Sequence, residues 1–189
     1  MRPAIFIDRD GTINTYIPHL TKPESLSLIA GSGEAIAKLN KAGFVVIVIT
    51  NQSVISRGLL TEAGLQKIHK KLRDMLFMHK AVIDRIYFCP HHPDYGEHRI
   101  CNCRKPSPGL IQQAIQDHGI DVKKSVVIGD NITDIKAGWA AGCSAALVLT
   151  GLGKQMLSKM DKNATNKLAY IGDNLLDVAN QILKKNVVD

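Results

Sequence analysis

Aromatic residues make up only 5% of this 189-residue sequence, too few for a stacking platform that grips single-stranded nucleic acid. No apolar run approaches membrane-spanning length, and the amino terminus lacks a signal-peptide pattern. The expectation is therefore no membrane partner and a cytoplasmic location. Internal repeats and low-complexity linkers are missing, and no insertion between elements is long enough for a separate cap domain. One domain over 1–189 follows as the expectation. Cysteine is scarce, at four residues, and a disulfide framework does not suit a cytoplasmic chain. Acidic residues are the minority charge, 17 against 24 basic, for a net charge of +7. That balance favours anionic partners such as phosphorylated metabolites. Lys67, Lys70, Lys71 and Arg73 fall mostly on the polar side of one amphipathic segment, so much of the excess only solubilises, and nucleic acid is not indicated.

What is present is an alternation of strand and helix patterns, with 45% hydrophobic and 22% charged residues, enough to bury a sizeable core. Strands are expected at 4–8, 44–50, 84–88, 125–129 and 145–149, with a weak one near 168–171. Helices are expected at 32–42, after the capping residue Thr61, from Ser107-Pro108 with Pro108 as the first helical residue, and from Asp130 to Gly142. This order predicts an α/β fold, a three-layer doubly wound parallel sheet. The long irregular stretches 13–30 and 89–103 are expected to shape a substrate site.

Ala4-Ile5-Phe6-Ile7 runs into Asp8-Arg9-Asp10-Gly11-Thr12. In extended chain, residues i and i+2 point the same way, so Asp8 and Asp10 converge just past a strand's carboxyl end. Open α/β sheets place their ligand crevice there. Paired carboxylates repel unless a cation or proton intervenes, which suits Mg²⁺ and equally a carboxylate nucleophile beside a carboxylic acid/base. The plain alternative is a solvated turn after a buried strand. Val126-Val127-Ile128-Gly129-Asp130-Asn131 repeats the logic and brings Asp130 to a second strand end. Thr50 and Asn51 end a third, and Arg104-Lys105 supply a fork donor and a point charge for phosphate. Gly172-Asp173-Asn174-Leu175-Leu176-Asp177 copies the Gly-Asp-Asn motif after a weaker strand. There Asp173 or Asn174 reads as the cap of a helix from Leu175 to Lys184.

Cys89-Pro90-His91 and Cys101-Asn102-Cys103 flank a nine-residue spacer. Paired donors at i and i+2 on each arm suit tetrahedral Zn²⁺, with His92 or His98 as alternatives to His91. Four ligands leave no open position, so the zinc would be structural, fixing the adjoining Arg104 and Lys105. Incidental buried thiols are the alternative. Cys143 reads as a packed thiol.

Asp-x-Asp-Gly-Thr, the strand-end Thr50, the basic Lys105 and Gly-Asp-x-x-x-Asp occur in the order of the haloacid-dehalogenase-like phosphatases, which the chain resembles from residue 4 to about 150. Cys-Pro-His-His-Pro followed by Cys-x-Cys-Arg-Lys-Pro-x-Pro-Gly, with Asn51-Gln52-Ser53 and Arg57-Gly58, resembles the heptose bisphosphate phosphatase family over nearly the whole chain. Histidinol-phosphate phosphatase domains share the zinc loop more loosely. The chain departs from the heptose pattern at Val54, where the family has Gly, and at Tyr16-Ile17-Pro18-His19. The resemblance implies Asp8 as nucleophile and Asp10 as acid/base. It places Mg²⁺ on Asp8, the Asp10 carbonyl and Asp130, with Asn131 alongside and Asp134 in support. Thr50 and Lys105 would hold phosphate. Tyr16, His19, Asn51, Gln52, Ser53, Arg57, Arg104 and Lys105 would contact a small phosphorylated sugar. A monomer is the expectation, with a polynucleotide 3′-phosphatase and a non-catalytic zinc module as other classes.

Overall fold

In the computed structural model, which describes residues 1–97 and 100–185, every strand pairing is parallel. The elements in chain order are β1 Ala4–Ile7, α1 Ser32–Lys41, β2 Val45–Asn51, α2 Glu62–Phe77, β3 Arg85–Cys89, α3 Gly109–His118 and β4 Val126–Gly129. They continue with α4 Ile132–Ala141, β5 Ser144–Val148, α5 Gly153–Lys159, α6 Lys162–Asn166, β6 Tyr170–Gly172 and α7 Leu175–Lys185. The strands order as β3-β2-β1-β4-β5-β6. The chain therefore reverses its direction of travel between β1 and β4, and that switch point opens a crevice at the carboxyl ends of the two strands.

Both sheet faces are covered, which explains strands that are apolar throughout rather than alternating. Ile5, Ile7, Val46, Val48 and Ile128 pack on one face with Ile36 and Leu39 of α1, Ile68 and Leu72 of α2, and Val178 and Ile182 of α7. Ala4, Phe6, Val45, Ile47 and Val127 pack on the other with Leu110, Ile111 and Ala114 of α3 and Ala137 of α4. Each such aliphatic side chain contributes about 1.5–3 kcal/mol by leaving water. The strand ends that carry polar groups are thus anchored in rigid rows.

The expected strands fall within one or two residues of those observed, a normal uncertainty for element ends. Thr61 caps α2 by accepting from Gly64 N at 3.1 Å. The start of α3 differs from expectation: Pro108 is its cap rather than its first residue, and Ser107 makes no cap bond. The reason is tertiary, because Gly109 N donates to Asn102 O at 3.0 Å and ties the helix start to the cysteine loop. Helices α5 and α6 carry no clear periodic signal; α6 spans only Lys162–Asn166 and stands on an Asp161 cap. No helix among the described residues is long and apolar enough to cross a membrane.

Candidate active site

The crevice holds a cavity of about 500 Å³ whose wall includes Asp8, Asp10, Thr50, Lys105, Asp130 and Arg104, within the size range of small-molecule sites. Asp8 follows β1 and is fixed by its own N–H, which donates to Ile128 O of β4 at 2.9 Å. Asp130 follows β4, so the two carboxylates face each other across the switch point. Gly11 and Gly151 close on Asp130 from two sides, and a Cβ on either would fall 2.1 Å from its Oδ2. Only glycine fits there, and both have positive φ, +86° and +55°, which glycine adopts without steric cost. Thr150 Oγ1 locks this pinch by donating to Gly11 O at 2.6 Å.

Lys105 is buried and gives its ammonium protons to Asp8 Oδ1 at 2.6 Å, Asp134 Oδ1 at 2.6 Å and Ile49 O at 2.7 Å. Those two carboxylates hold Lys105 protonated well past its ordinary range, against the opposing effect of burial. Burial pushes the Asp8 carboxyl up, and Asp134, Asp130 and Asp10 add to it against the pull of Lys105. Asp130 is pushed up to about 7 by burial and by Asp134, while the Leu152 N–H at 2.8 Å restrains the rise. The floor therefore holds more negative charge than one lysine offsets. Carboxylate oxygens of Asp8, Asp130 and Asp134 lie within 4.8 Å of one another. Asp134 is engaged at both oxygens, by Lys105 and by Asn131 N at 3.0 Å, leaving Asp8 and Asp130 to face a cation. Two crowded hard-oxygen donors with room beside them fit Mg²⁺.

Asp10 sits differently. It accepts from Arg9 Nη2 at 2.7 Å, Gln52 Nε2 at 2.9 Å and Asn14 Nδ2 at 3.0 Å. Burial alone would raise its pKa, but the Arg9 charge and these three bonds pull it below its ordinary value. Gln52 Nε2 also donates to Thr50 Oγ1 at 2.8 Å, which leaves the threonine hydroxyl proton free to point into the cavity.

Buried carboxylates that could hold a cation thus share one strand-end crevice with Lys105, Thr50 and Arg104. Residues 102–178 match the family described as HAD-hydrolase-like. The D-glycero-beta-D-manno-heptose-1,7-bisphosphate 7-phosphatase of Pseudomonas aeruginosa is 38% identical over 187 residues, 97% of this chain and 99% of that enzyme. The chain belongs to the D-glycero-beta-D-manno-heptose-1,7-bisphosphate 7-phosphatase family. The member from Escherichia coli (strain K12) is 35% identical over 186 residues, covering 97% of this chain and 95% of its own. The crystal structure of D,D-heptose 1,7-bisphosphate phosphatase from B. bronchiseptica, complexed with magnesium and phosphate, aligns at a TM-score of 0.86. It is 34% identical and covers 98% of this chain and 99% of its own.

In this member of the heptose bisphosphate phosphatase family the cysteine loop runs directly into Arg104, which lines the cavity. Cys89, His91, Cys101 and Cys103 converge within 4.8 Å. Cys89 and Cys101 Sγ stand 3.7 Å apart, close to the edge of a tetrahedron with metal–sulfur bonds of about 2.3 Å. Cys89 and Cys103 are nearer, at 3.0 Å, and Cys103 Sγ lies 3.4 Å from His91 Nδ1. The donor set fits zinc. Burial would raise the Cys101 thiol, but contacts from Cys103, His91 and the Arg104 N–H pull it down to about 7. Arg104 Nη1 donates to His91 O at 2.9 Å. The loop thus sets the guanidinium at the cavity rim from both ends of the residue. His92 turns away to Arg57, and His98 lies outside the described residues.

Tyr16, His19 and Ser53 line the cavity as expected, and so does Val54. Of the other expected residues, Asn51, Lys105 and Asn131 line the cavity while bonded to protein partners, and Arg57 lies outside its wall. Arg57 stacks on Tyr95 at 4.0 Å and bonds His92 Nε2 at 3.0 Å. Asn51 clamps the backbone of Lys105, donating to its carbonyl and accepting from its N–H, both at 3.1 Å. Asn131 uses its Oδ1 to cap α4, accepting from Thr133 N at 3.1 Å and Thr133 Oγ1 at 3.2 Å, so that oxygen is not presented to a cation. Lys105, in the cavity wall, directs its protons to Asp8, Asp134 and Ile49 O. Sequence reasoning missed Arg9, Asn14, Thr150, Gly151 and Leu152. The last three follow β5 as Asp8 follows β1, and a threonine and glycine after a buried strand were the available signal.

Proposed function

We propose that this chain is a single-domain, Mg²⁺-dependent phosphatase that removes the 7-phosphate of D-glycero-D-manno-heptose 1,7-bisphosphate through an aspartyl-phosphate on Asp8. The observation that carries the reading is Asp8 held by Lys105 opposite Asp130 at the floor of the cavity. Asp8 attacks phosphorus in line and forms an O–P bond as the bond to the sugar oxygen breaks. Lys105 keeps the attacking carboxylate oriented, and Thr50 donates its free proton to a phosphate oxygen. Asp10, ionised in its clamp, takes up a proton from solvent as it rotates away from Arg9, gives it to the leaving oxygen, then takes one from the water that hydrolyses the acyl phosphate. Asp8, Asp130 and the Asp10 carbonyl would hold Mg²⁺, which would offset the charge between nucleophile and phosphate. Arg104 recognises the sugar's second phosphate with its fork. Cys89, His91, Cys101 and Cys103 hold a structural zinc that keeps Arg104 in place.

The test is phosphate release from the heptose bisphosphate, histidinol phosphate and a 3′-phosphorylated DNA, with unmutated protein and Asp8→Asn. The heptose bisphosphate should give the highest kcat/KM, and Asp8→Asn should abolish turnover while remaining folded. Preference for histidinol phosphate would reassign the substrate to the other family sharing the loop, with Val54 and residues 16–19 the first suspects. Turnover by Asp8→Asn would overturn the mechanism.

A further inference from the structure

Two buried polar side chains, Arg9 in the cavity wall and His69 outside it, are given no step in the chemistry above. Arg9 is 1% exposed. Its Nη2 serves Asp10 and Gln52 Oε1, at 2.7 and 3.1 Å, whereas its Nε and Nη1 are buried with no acceptor. His69 is also 1% exposed, on the buried stripe of α2 with Leu65, Ile68, Leu72 and Leu76. Its ring meets the edge of Phe88 with centroids 6.0 Å apart. Phe88 is the register partner of Thr50, which places His69 over the carboxyl end of the β2–β3 pair, where Gln52 and Arg9 meet. His69 Nε2 is itself buried without a partner.

Buried polar atoms are rarely left without hydrogen bonds. Arginine offers donors only, so its two orphaned N–H groups need an acceptor. Neutral histidine supplies one when the proton sits on the other nitrogen. We propose that His69 is a positioning residue for the reaction: with its proton on Nδ1, it accepts at Nε2, through a bridging water, from Arg9 Nε and Nη1, and so holds Arg9 against Asp10. Three polar atoms around one water meet its usual hydrogen-bond demand. The charges facing His69 agree with a neutral ring. Burial, Arg9 and Arg73 together bring its pKa down to about 3, and Asp10 opposes them only weakly. The consequence is that α2 sets the rotamer from which Asp10 departs to meet the leaving oxygen. This inference rests on the role given to Asp10 above.

The test joins spectroscopy to kinetics. Long-range ¹⁵N–¹H correlation on labelled protein, with His69 identified by its loss in His69→Gln, should show an Nδ1–H tautomer with unprotonated Nε2 unchanged down to pH 5. His69→Leu should lower kcat on the heptose bisphosphate about tenfold with KM within about twofold. His69→Gln, whose carbonyl can accept, should recover most of the loss. An Nε2–H tautomer, protonation with a midpoint near the ordinary histidine value, or a His69→Leu enzyme that loses only thermal stability would each overturn the proposal. The tautomer is read without substrate, so a failure of the substrate assignment and a failure of this inference give different results.

Discussion

Gly11→Ala isolates the geometry on which the cation site depends. Gly11 lies at φ +86°, and an added Cβ would fall 2.1 Å from Asp130 Oδ2, 2.8 Å from Asp130 Cγ and 3.2 Å from Gly151 Cα. A left-handed alanine costs about 1–2 kcal/mol by itself. The overlap can be relieved only by displacing the Asp130 carboxylate, which breaks its 2.8 Å bond from Leu152 N. A hydrogen bond to a charged group is worth about 1.5–3 kcal/mol. Together these give a loss of roughly 3–5 kcal/mol, and at about 2–4 °C per kcal/mol for a chain of this size the melting temperature should fall by roughly 10 °C. Gly43→Ala supplies the control. Gly43 has φ +87° and nothing within 4 Å of the added carbon, so it should show the backbone cost alone. Thermal melts with and without Mg²⁺, followed by phosphate release, make the comparison. Gly11→Ala should lose the stabilisation by Mg²⁺ and about 10²-fold in kcat, as expected when a reacting group moves by about 1 Å. Gly43→Ala should keep both. Equal losses in the two variants, or an unchanged Mg²⁺ requirement in Gly11→Ala, would refute the pinched-carboxylate argument.

Three further outcomes are expected. Lys105→Met leaves Asp8 and Asp134 buried without their shared cation, which should cost about 3–5 kcal/mol and reduce kcat at least 10²-fold; denaturant melts and kinetics near those of the unmutated protein would exclude the anchoring role. Zinc should copurify at about one per chain, as a closed four-ligand site requires, and Cys101→Ser should lower it and reduce kcat/KM about tenfold, because Arg104 loses the loop that orients it; metal analysis and kinetics on the same preparations check both. His69 has a folded pKa of about 3 against 6.5 unfolded, so its contribution is fully present above pH 6.5 and is lost as pH falls toward 3. At pH 5 the loss relative to pH 7 is about 2 kcal/mol, which His69→Gln should not show in paired melts at the two pH values.

The placing of carboxylates at the strand end was legible in the primary structure, since Asp8 and Asp10 both line the cavity, but their division of labour was not: Asp8 joins Asp130 and Asp134, while Arg9, Gln52 and Asn14 hold Asp10 apart. The cysteine pairs were legible as well, since i and i+2 on two arms of one loop need little tertiary help to meet. Arg9 was not. An arginine between two aspartates reads as part of a solvated turn, yet it is 1% exposed and turned onto Asp10 and Gln52. Its burial exists only because His69 and Gln52 arrive there from elsewhere in the chain. Arg57 erred in the other direction: a motif position beside the site, it turned instead to the ring of Tyr95.

The two Gly-Asp-Asn segments separate most clearly what each level decides. The residues alone dictate that both build the same helix start. Asn131 and Asp134 exchange bonds with the backbone of α4, and Asn174 and Asp177 do the same for α7. The weaker strand before Asp173 already favours a helix cap for the second copy over a metal site. The order of the strands gives the physical reason. Asp130 follows β4, beside β1 at the switch point, where the crossovers diverge and leave an open crevice facing Asp8. Asp173 follows β6, the edge strand, which β5 and β4 separate from β1. A second carboxylate is needed to make a cation site, and only long-range strand pairing can bring one.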